Sequence, residues 1–291
     1  MNKELIVVCG PTASGKSDLA IAIAKEVDGE IVNADTMSFY RGMNIGTAKV
    51  LPDERQGIVH HMIDVLDITE DANVAWYQRE ARKVIDKIIA RGKRPILVGG
   101  TGLYIKAILD ELNFPDTNPD VREKLNAEAE RVGKEVMYEK LQKLDPAAAI
   151  AIDPQNLRRV IRALEVIEIT GKPFTANLPR EKSERYPNAK QYGLRVDREE
   201  LDRRIDLRVN KMFAEGLIDE TAALVEAGLL LGTTAKLALG YAQVLAYMGG
   251  QITDPIEATK IATRQYARRQ ETWFNRDERI NWITPPYKIP N

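Results

Sequence analysis

Short apolar runs alternate along the chain with longer stretches in which apolar residues recur every three or four positions. Residues Glu4 to Cys9 form one such run, ending at Gly10, and Ser17 to Val27 follows with Leu19, Ile23 and Val27 at helical spacing. That pattern predicts a strand, a glycine-rich loop and a helix. Further short runs at Glu30 to Ala34, around Ile63 to Leu66, and at Arg94 to Val98 just before Gly99-Gly100 predict more strands. Between them, Trp76 to Ala90 carries Tyr77, Ala81, Val84, Ile85 and Ile88 on one helical stripe. Strands alternating with helices imply a parallel sheet covered on both faces.

The pattern changes after Phe114-Pro115. Asn118-Pro119 fits an N-cap followed by proline at the first helical position, and Val121, Leu125, Ala129, Val132 and Val136 continue at steps of three and four. A second helix, Asn156 to Thr170, is expected to stop at Gly171-Lys172-Pro173. No strand-like run interrupts the two, so residues 116–190 read as a helical insertion in a core made of 1–115 and 191–291. Alternation resumes with Gln191 to Val196. A long helix follows from Glu199, with Leu201, Ile205, Val209 and Met212 on its apolar face. Asp254-Pro255-Ile256-Glu257 resembles a capped helix start, Arg279 to Ile283 a last strand, and Thr284 to Asn291 a loose tail.

Composition narrows the classes. The 291 residues are 44% hydrophobic and 29% charged, as in soluble globular proteins, and suggest one large domain or two smaller ones. One cysteine, Cys9, excludes an internal disulfide, and with two histidines the chain cannot assemble a four-ligand Cys/His metal site. A reducing cytoplasm is the expected compartment, with no membrane partner: the first apolar run is too short to span a bilayer and has no cleavage pattern. The net charge of -1 announces no nucleic-acid partner, so any RNA contact must use local patches.

Gly10-Pro11-Thr12-Ala13-Ser14-Gly15-Lys16-Ser17 satisfies G-x-x-x-x-G-K-[ST] between a predicted strand and a predicted helix. In that setting the glycines let backbone N–H groups wrap an anion, Lys16 adds a point charge, and Ser17 offers a ligand for Mg2+. The fold class is therefore α/β, a P-loop parallel sheet flanked by helices with an all-helical insertion. Asp35, at the end of the second strand, stands where open parallel sheets place ligands. It fits a metal-linked carboxylate, a general base, or the cap of a following turn. Thr101, after Gly99-Gly100, brings a hydroxyl to the same edge.

Taken together, GPTASGKS, NADTMSFYRGMNIGTAK, HHMID, PILVGGTGLY, NLRRVIRALEV, LDRRIDLRV and RQYARRQETWF resemble the tRNA dimethylallyltransferases, the bacterial isopentenyl-tRNA transferase family. The similarity runs from residue 5 to about 275. It implies transfer of dimethylallyl from dimethylallyl pyrophosphate to N6 of the adenine just 3′ of the anticodon. It also implies Mg2+, a monomer, and a helical insertion that grips the anticodon stem-loop of tRNA. By this resemblance Asp35 is the acid that accepts the N6 proton or hydrogen bond, and Thr12 to Ser17 form the pyrophosphate cradle. Arg208 faces the leaving group. Thr36, Met37, Ser38 and Thr101 match contacts to the target base and its neighbours, and Arg122, Lys124, Gln155, Asn156, Leu157, Arg158 and Arg159 match tRNA contacts of the insertion. The family often reads D-S-M-Q and G-Y-K-E where this chain has Asp35-Thr36-Met37-Ser38 and Gly240-Tyr241-Ala242-Gln243. Thr36 keeps a hydroxyl; Ser38 shortens a base-reading side chain.

The residues themselves allow a milder reading in places. Arg158, Arg159 and Arg162 share a helix face opposite Leu157, Ile161 and Leu164, which suits RNA phosphates, although charged faces are usually just solvated. Arg264 and Arg268 do likewise. His60-His61 should point to opposite faces of a strand and so serve structure rather than metal binding. A phosphate loop is also compatible with an ATP-dependent kinase or a nucleotide-dependent RNA-binding switch; here ATP is expected only as a weak competitor of the prenyl donor.

Overall fold

The computed structural model describes residues 4–115, 117–177 and 184–287. They form two compact units, one of residues 1–109 with 186–291 and one of residues 110–185.

The larger unit is built on a six-stranded, wholly parallel sheet. Its strands are β1 (Ile6–Cys9), β2 (Gly29–Asn33), β3 (His60–His61), β4 (Arg94–Gly99), β5 (Lys190–Leu194) and β6 (Ile280–Ile283), in the spatial order β3-β2-β4-β1-β5-β6. β1 is apolar at every position because both of its faces are covered. Ile6 and Val8 pack with Ala20, Ile21, Ile23 and Ala24 of α1 (Lys16–Val27). Val7 and Cys9 pack on the other side, in the cluster holding Tyr77, Ala81, Ile85 and Ile88 of α2 (Val74–Ala90). These four are the buried part of the stripe read from the sequence; Val84 lies at its margin. α3 (Gly102–Leu109) follows β4 and shows no amphipathic period, since Tyr104, Ile105, Ala107, Ile108 and Leu109 are all buried.

In the smaller unit, α4 (Pro119–Val132), α5 (Lys134–Leu144), α6 (Pro146–Ala151) and α7 (Leu157–Thr170) pack around Leu125, Met137, Leu141, Val160 and Leu164. The side chains of Asn118, Asp145 and Asn156 cap α4, α6 and α7. The expected single helix through Val136 is instead broken at Gly133, whose φ of 84° leaves the helical region, and Val136 is exposed on α5.

The chain completes the larger unit with α8 (Arg198–Ala214), α9 (Leu217–Glu226), α10 (Tyr241–Met248) and α11 (Pro255–Phe274). Leu201, Ile205, Val209 and Met212 are the buried face of α8, and Asp254 caps α11 by accepting from the Glu257 N–H at 3.0 Å. Two expectations fail. Ile63 to Leu66 makes no strand: β3 is the two histidines alone, and Leu66 only bridges Tyr40. Nor is the segment from Thr284 loose throughout, because Tyr287 docks on the main body; residues 288–291 lie outside the described residues. No described helix is long and apolar enough to cross a membrane.

Glu165 of α7 has a fully buried side chain that accepts from the guanidinium groups of Arg122 and Arg162 and from the Asn118 N–H at 3.1 Å. Burial alone would raise its pKa, but the two arginines and this amide hold it below the usual 4.5. A lowered carboxylate pKa contributes stability above the unfolded-state value that is lost as pH falls through the folded one. Glu165→Ala should therefore lower the unfolding free energy at neutral pH by about 2 kcal/mol, less than for a wholly buried pair because both arginines reach water. In urea titrations, the gap between parent and variant should shrink as pH falls below about 4, where the unfolded glutamate takes up a proton while the folded one still holds its charge.

Candidate functional site

The loop between β1 and α1 sits at the carboxyl edge of the sheet, and its backbone is shaped for an anion. Gly10, at φ 142°, passes so close to β5 that an added Cβ would stand 3.0 Å from the Leu194 carbonyl oxygen. Ala13 and Gly15 both adopt left-handed conformations, at φ 62° and 91°, and flank Ser14. Such alternation turns successive N–H groups into one concavity. Among the described residues no side chain caps the N-terminus of α1, which leaves its first amides for a ligand. Ser14 is fully buried, and its hydroxyl has no hydrogen-bond partner among the described residues.

Two cations converge here. Lys16 Nζ donates to the Pro11 carbonyl at 2.6 Å, and burial pushes its pKa down to about 8 against the opposing pull of Asp35. Arg208, on α8, donates to Thr12 Oγ1 at 3.3 Å and to the Thr47 carbonyl at 3.1 Å. Burial lowers its pKa too, and Asp35 again opposes the shift. These side chains line a cleft of about 430 Å3 with Ser17, Asn33, Ser38 and Arg204.

Asp35 stands at the end of β2 on a rigid mount. Asn33 accepts from the Asp35 N–H and donates to its carbonyl, both at 3.0 Å, and donates to the Met62 carbonyl at 2.9 Å. Asp35 Oδ1 accepts from the Met37 N–H at 3.2 Å and so caps a short 3-10 turn, Thr36–Phe39. Phe39 anchors that turn by stacking on Tyr77 with 5.3 Å between ring centres. Capping and facing the cleft are thus compatible: Asp35 does both, and its field reaches Lys16, Arg208 and Tyr266. Ser38 is buried and lines the cleft, whereas Thr36 and Met37 are half-buried on the turn.

Thr101 lies between β4 and α3. Beside its side chain stands the phenol of Tyr266 on α11, whose pKa rises to about 12 through burial and the Asp35 charge. Four residues on, Gln270 accepts from the Thr12 N–H and donates to the Gly100 carbonyl, both at 2.8 Å. A Cβ at Gly100 would lie 2.2 Å from that amide nitrogen and would displace it from these bonds. Neither Tyr266 nor Gln270 was singled out in the sequence, nor was Arg204. Their signal was the four-residue spacing within RQYARRQETWF and within RRIDLR, two segments that helical folding brings to the loop.

The loop carrying Thr47 is held from behind. Glu220 accepts from the N–H groups of Asn44 at 3.2 Å and Ile45 at 3.0 Å and from the Tyr241 hydroxyl at 2.5 Å. Lys49, almost wholly buried, donates to the Tyr40 carbonyl at 2.7 Å and pairs with Asp64 at 2.5 Å. The two histidines point apart: His60 lines the cleft and bonds the Ile58 carbonyl, while His61 contacts Glu30. Among the described residues no three His, Cys, Asp or Glu side chains gather as a metal site. Cys9 is buried, with its thiol pushed up to about 12.

The basic residues of the smaller unit separate into two kinds. Arg122 and Arg162 are committed to Glu165, and Arg162 also donates to the Pro115 carbonyl at 2.7 Å. Lys124 pairs with Glu168 at 2.8 Å, and Gln155 accepts from Lys134. Asn156 caps α7 by accepting from the Arg159 N–H at 3.2 Å, and Leu157 packs on the unit's core. Arg158 and Arg159 are exposed, with side chains free of ion pairs among the described residues. Arg268 is likewise exposed on α11, whereas Arg264 pairs with Asp206.

An anion cradle with half-buried cations and the Asp35 carboxylate at its rim fits a group-transfer enzyme for a phosphorylated ligand. The IPP transferase family model matches residues 38–277, and the chain belongs to that family. It is 54% identical over 294 residues to a tRNA dimethylallyltransferase of Thermobifida fusca, covering 99% of this chain and 91% of that protein. A tRNA dimethylallyltransferase of Streptomyces griseus is 52% identical, with 96% and 90% covered. Among solved structures, the tRNA isopentenylpyrophosphate transferase of Bacillus halodurans superposes with a TM-score of 0.71 at 39% identity, covering 97% of this chain and 90% of that one. A eukaryotic dimethylallyltransferase acting on tRNA gives 0.84 at 29% identity, covering 97% and 74%.

The depressed Lys16 pKa yields a test of the cradle. The ammonium form binds an anion, and in the free protein that form is lost as pH rises past about 8. Inorganic pyrophosphate should therefore bind more weakly as pH rises through that value in calorimetric titrations. Lys16→Ala should bind weakly throughout and lose the part of the pH dependence that this amine supplies.

Proposed function

We propose that the cleft holds the pyrophosphate of dimethylallyl pyrophosphate and presents its allylic carbon to N6 of the adenine just 3′ of the anticodon in tRNA. The observation that carries this reading is the convergence of Lys16, Arg208 and the unpartnered Ser14 hydroxyl on one loop, with Asp35 facing them. The exocyclic amine has its lone pair drawn into the purine ring and is a poor nucleophile. It attacks only if the leaving group departs readily. Lys16, Arg208, Arg204 and the loop amides stabilise the charge that grows on pyrophosphate as the carbon–oxygen bond breaks. The new carbon–nitrogen bond forms as that bond opens, and Asp35 orients the amine and takes its proton. Thr101 and the Thr36–Ser38 turn contact the extruded base, which must leave its stack to reach the cleft.

The donor set suits Mg2+, a hard cation that prefers oxygen and commonly binds through substrate phosphates and few protein ligands. Ser17, in the first turn of α1, would hold it, with the remaining ligands coming from pyrophosphate and water. When bound, the ion neutralises part of the diphosphate charge. In the helical unit, Arg158 and Arg159 are proposed to contact tRNA phosphates, with Gln155, Asn156 and Leu157 beside them at the start of α7. Arg122, Lys124 and Arg162 would support that surface through their pairs with Glu165 and Glu168. In the same proposal the protein works as a monomer in the cytoplasm.

The direct test mixes the protein with unmodified tRNA and labelled dimethylallyl pyrophosphate. Label in the RNA is the expected result; tRNA-dependent consumption of ATP without prenylation would replace this reading. Asp35→Ala should slow single-turnover transfer by about 100-fold or more while leaving donor and tRNA affinities within a few-fold. An unchanged rate would reduce Asp35 to a turn cap. Arg158→Ala with Arg159→Ala should weaken tRNA binding and flatten the dependence of log K on log salt by about 0.7 to 0.9 for each phosphate no longer neutralised. A parental slope would make this face ordinary solvated surface.

A further inference from the structure

The segment after β6 returns across the back of the phosphate loop, where the Tyr287 hydroxyl donates to the Ser14 carbonyl at 2.7 Å. The Tyr287 ring lies against the loop: a Cβ at Gly15 would stand 3.5 Å from Tyr287 Cε2, and the ring shares a packing cluster with Ala13. The Arg204 guanidinium, which lines the cleft, approaches the same hydroxyl.

A trans peptide unit is planar, so the Ser14 carbonyl and the Gly15 N–H point in opposite directions. Holding that carbonyl outward aims the N–H inward. The unit needs such a hold because Gly15 has no side chain to restrict it and sits at φ 91°. A flip of the 14–15 peptide would turn a carbonyl oxygen toward the anion where a donor should stand. The Pro11 carbonyl accepts from Lys16 and the Gly15 carbonyl from the Leu19 N–H, whereas the Ser14 carbonyl is fixed by a residue more than 270 positions away.

We propose that Tyr287 is a positioning residue for pyrophosphate binding: its hydroxyl locks the 14–15 peptide so that the Gly15 N–H faces the leaving group. Burial raises the phenol pKa, which keeps the hydroxyl a donor across the neutral range. The inference rests on the cleft being the pyrophosphate site and goes beyond it by assigning a role to a segment outside the loop.

Tyr287→Phe removes the hydroxyl and keeps the ring at a half-buried position, so the fold should persist. Titration with inorganic pyrophosphate should show a Kd raised about 3- to 10-fold, the scale of one neutral hydrogen bond. The melting temperature and tRNA affinity should match the parent. An unchanged pyrophosphate Kd overturns the proposal, and so does a raised Kd that merely tracks a lowered melting temperature. The parent and Lys16→Ala proteins, titrated alongside, separate the two levels. If the parent binds pyrophosphate and the Lys16 variant does not, an unchanged Phe variant sinks only the role of Tyr287. A parent that fails to bind pyrophosphate removes the reading of the cleft itself.

Discussion

Lys16 and Arg208 stand together in the cleft, half-buried, and the field of Asp35 offsets part of their charge. Taking a cation even partly out of water without a close counter-ion is costly, and two within reach of each other cost more. The surrounding structure is arranged to tolerate that cost. Lys16 leans on the Pro11 carbonyl, and Arg208 spreads its donors over Thr12 and Thr47. These are neutral acceptors, so the cations remain under-neutralised until an anion arrives. The site is ready for negative charge because, among the described residues, neither has a carboxylate partner.

Holding such a pair demands a stiff frame, and the frame comes from distant parts of the chain. Gln270 on α11 ties Thr12 of the loop to Gly100 at the end of β4. Glu220 on α9 and Tyr241 on α10 grip residues 44–46, directly before the Thr47 carbonyl that receives Arg208. Gly46 must be glycine because an added Cβ would lie 2.4 Å from the Tyr241 ring. A loop that looks local in sequence is in fact set by contacts across the whole larger unit.

That difference explains what could be read in advance. The strands around the loop, the stripe on α2, the apolar face of α8 and the cap at Asp254 were legible because each is written in local periodicity or capping chemistry. The break at Gly133 was missed because the apolar spacing continues through it, and a single glycine inside such a pattern is ambiguous. Ile63 to Leu66 is apolar yet makes no strand: Met62 and Asp64 take left-handed conformations, at φ 59° and 55°, where the chain turns beneath Asn33 and Ser38. In the site, the loop and Asp35 announced themselves by motif, whereas Arg204, Tyr266, Gln270 and Tyr287 matter through partners remote in sequence. The arginines of α7 teach the same lesson: Arg158, Arg159 and Arg162 look alike in the sequence, yet only Arg162 reaches the buried Glu165.

The cradle also gains a different meaning from the group it serves. In a kinase a loop of this kind holds the donor whose phosphoryl group moves to the acceptor. In a prenyl transferase it holds the part left behind, and the bond that breaks lies between carbon and the diphosphate oxygen. Negative charge on the diphosphate therefore grows throughout the reaction. Interactions that strengthen along the way accelerate the step more than those already complete in the ground state. Under-neutralised cations suit this task, because part of their stabilisation is realised only as the leaving group becomes fully charged. A carboxylate placed against Lys16 or Arg208 would lower the cost of the folded state and blunt that gain. Asp35 is instead held by Asn33 at the rim, where its charge tempers the cations and where, in the proposed reaction, its oxygen would serve the amine.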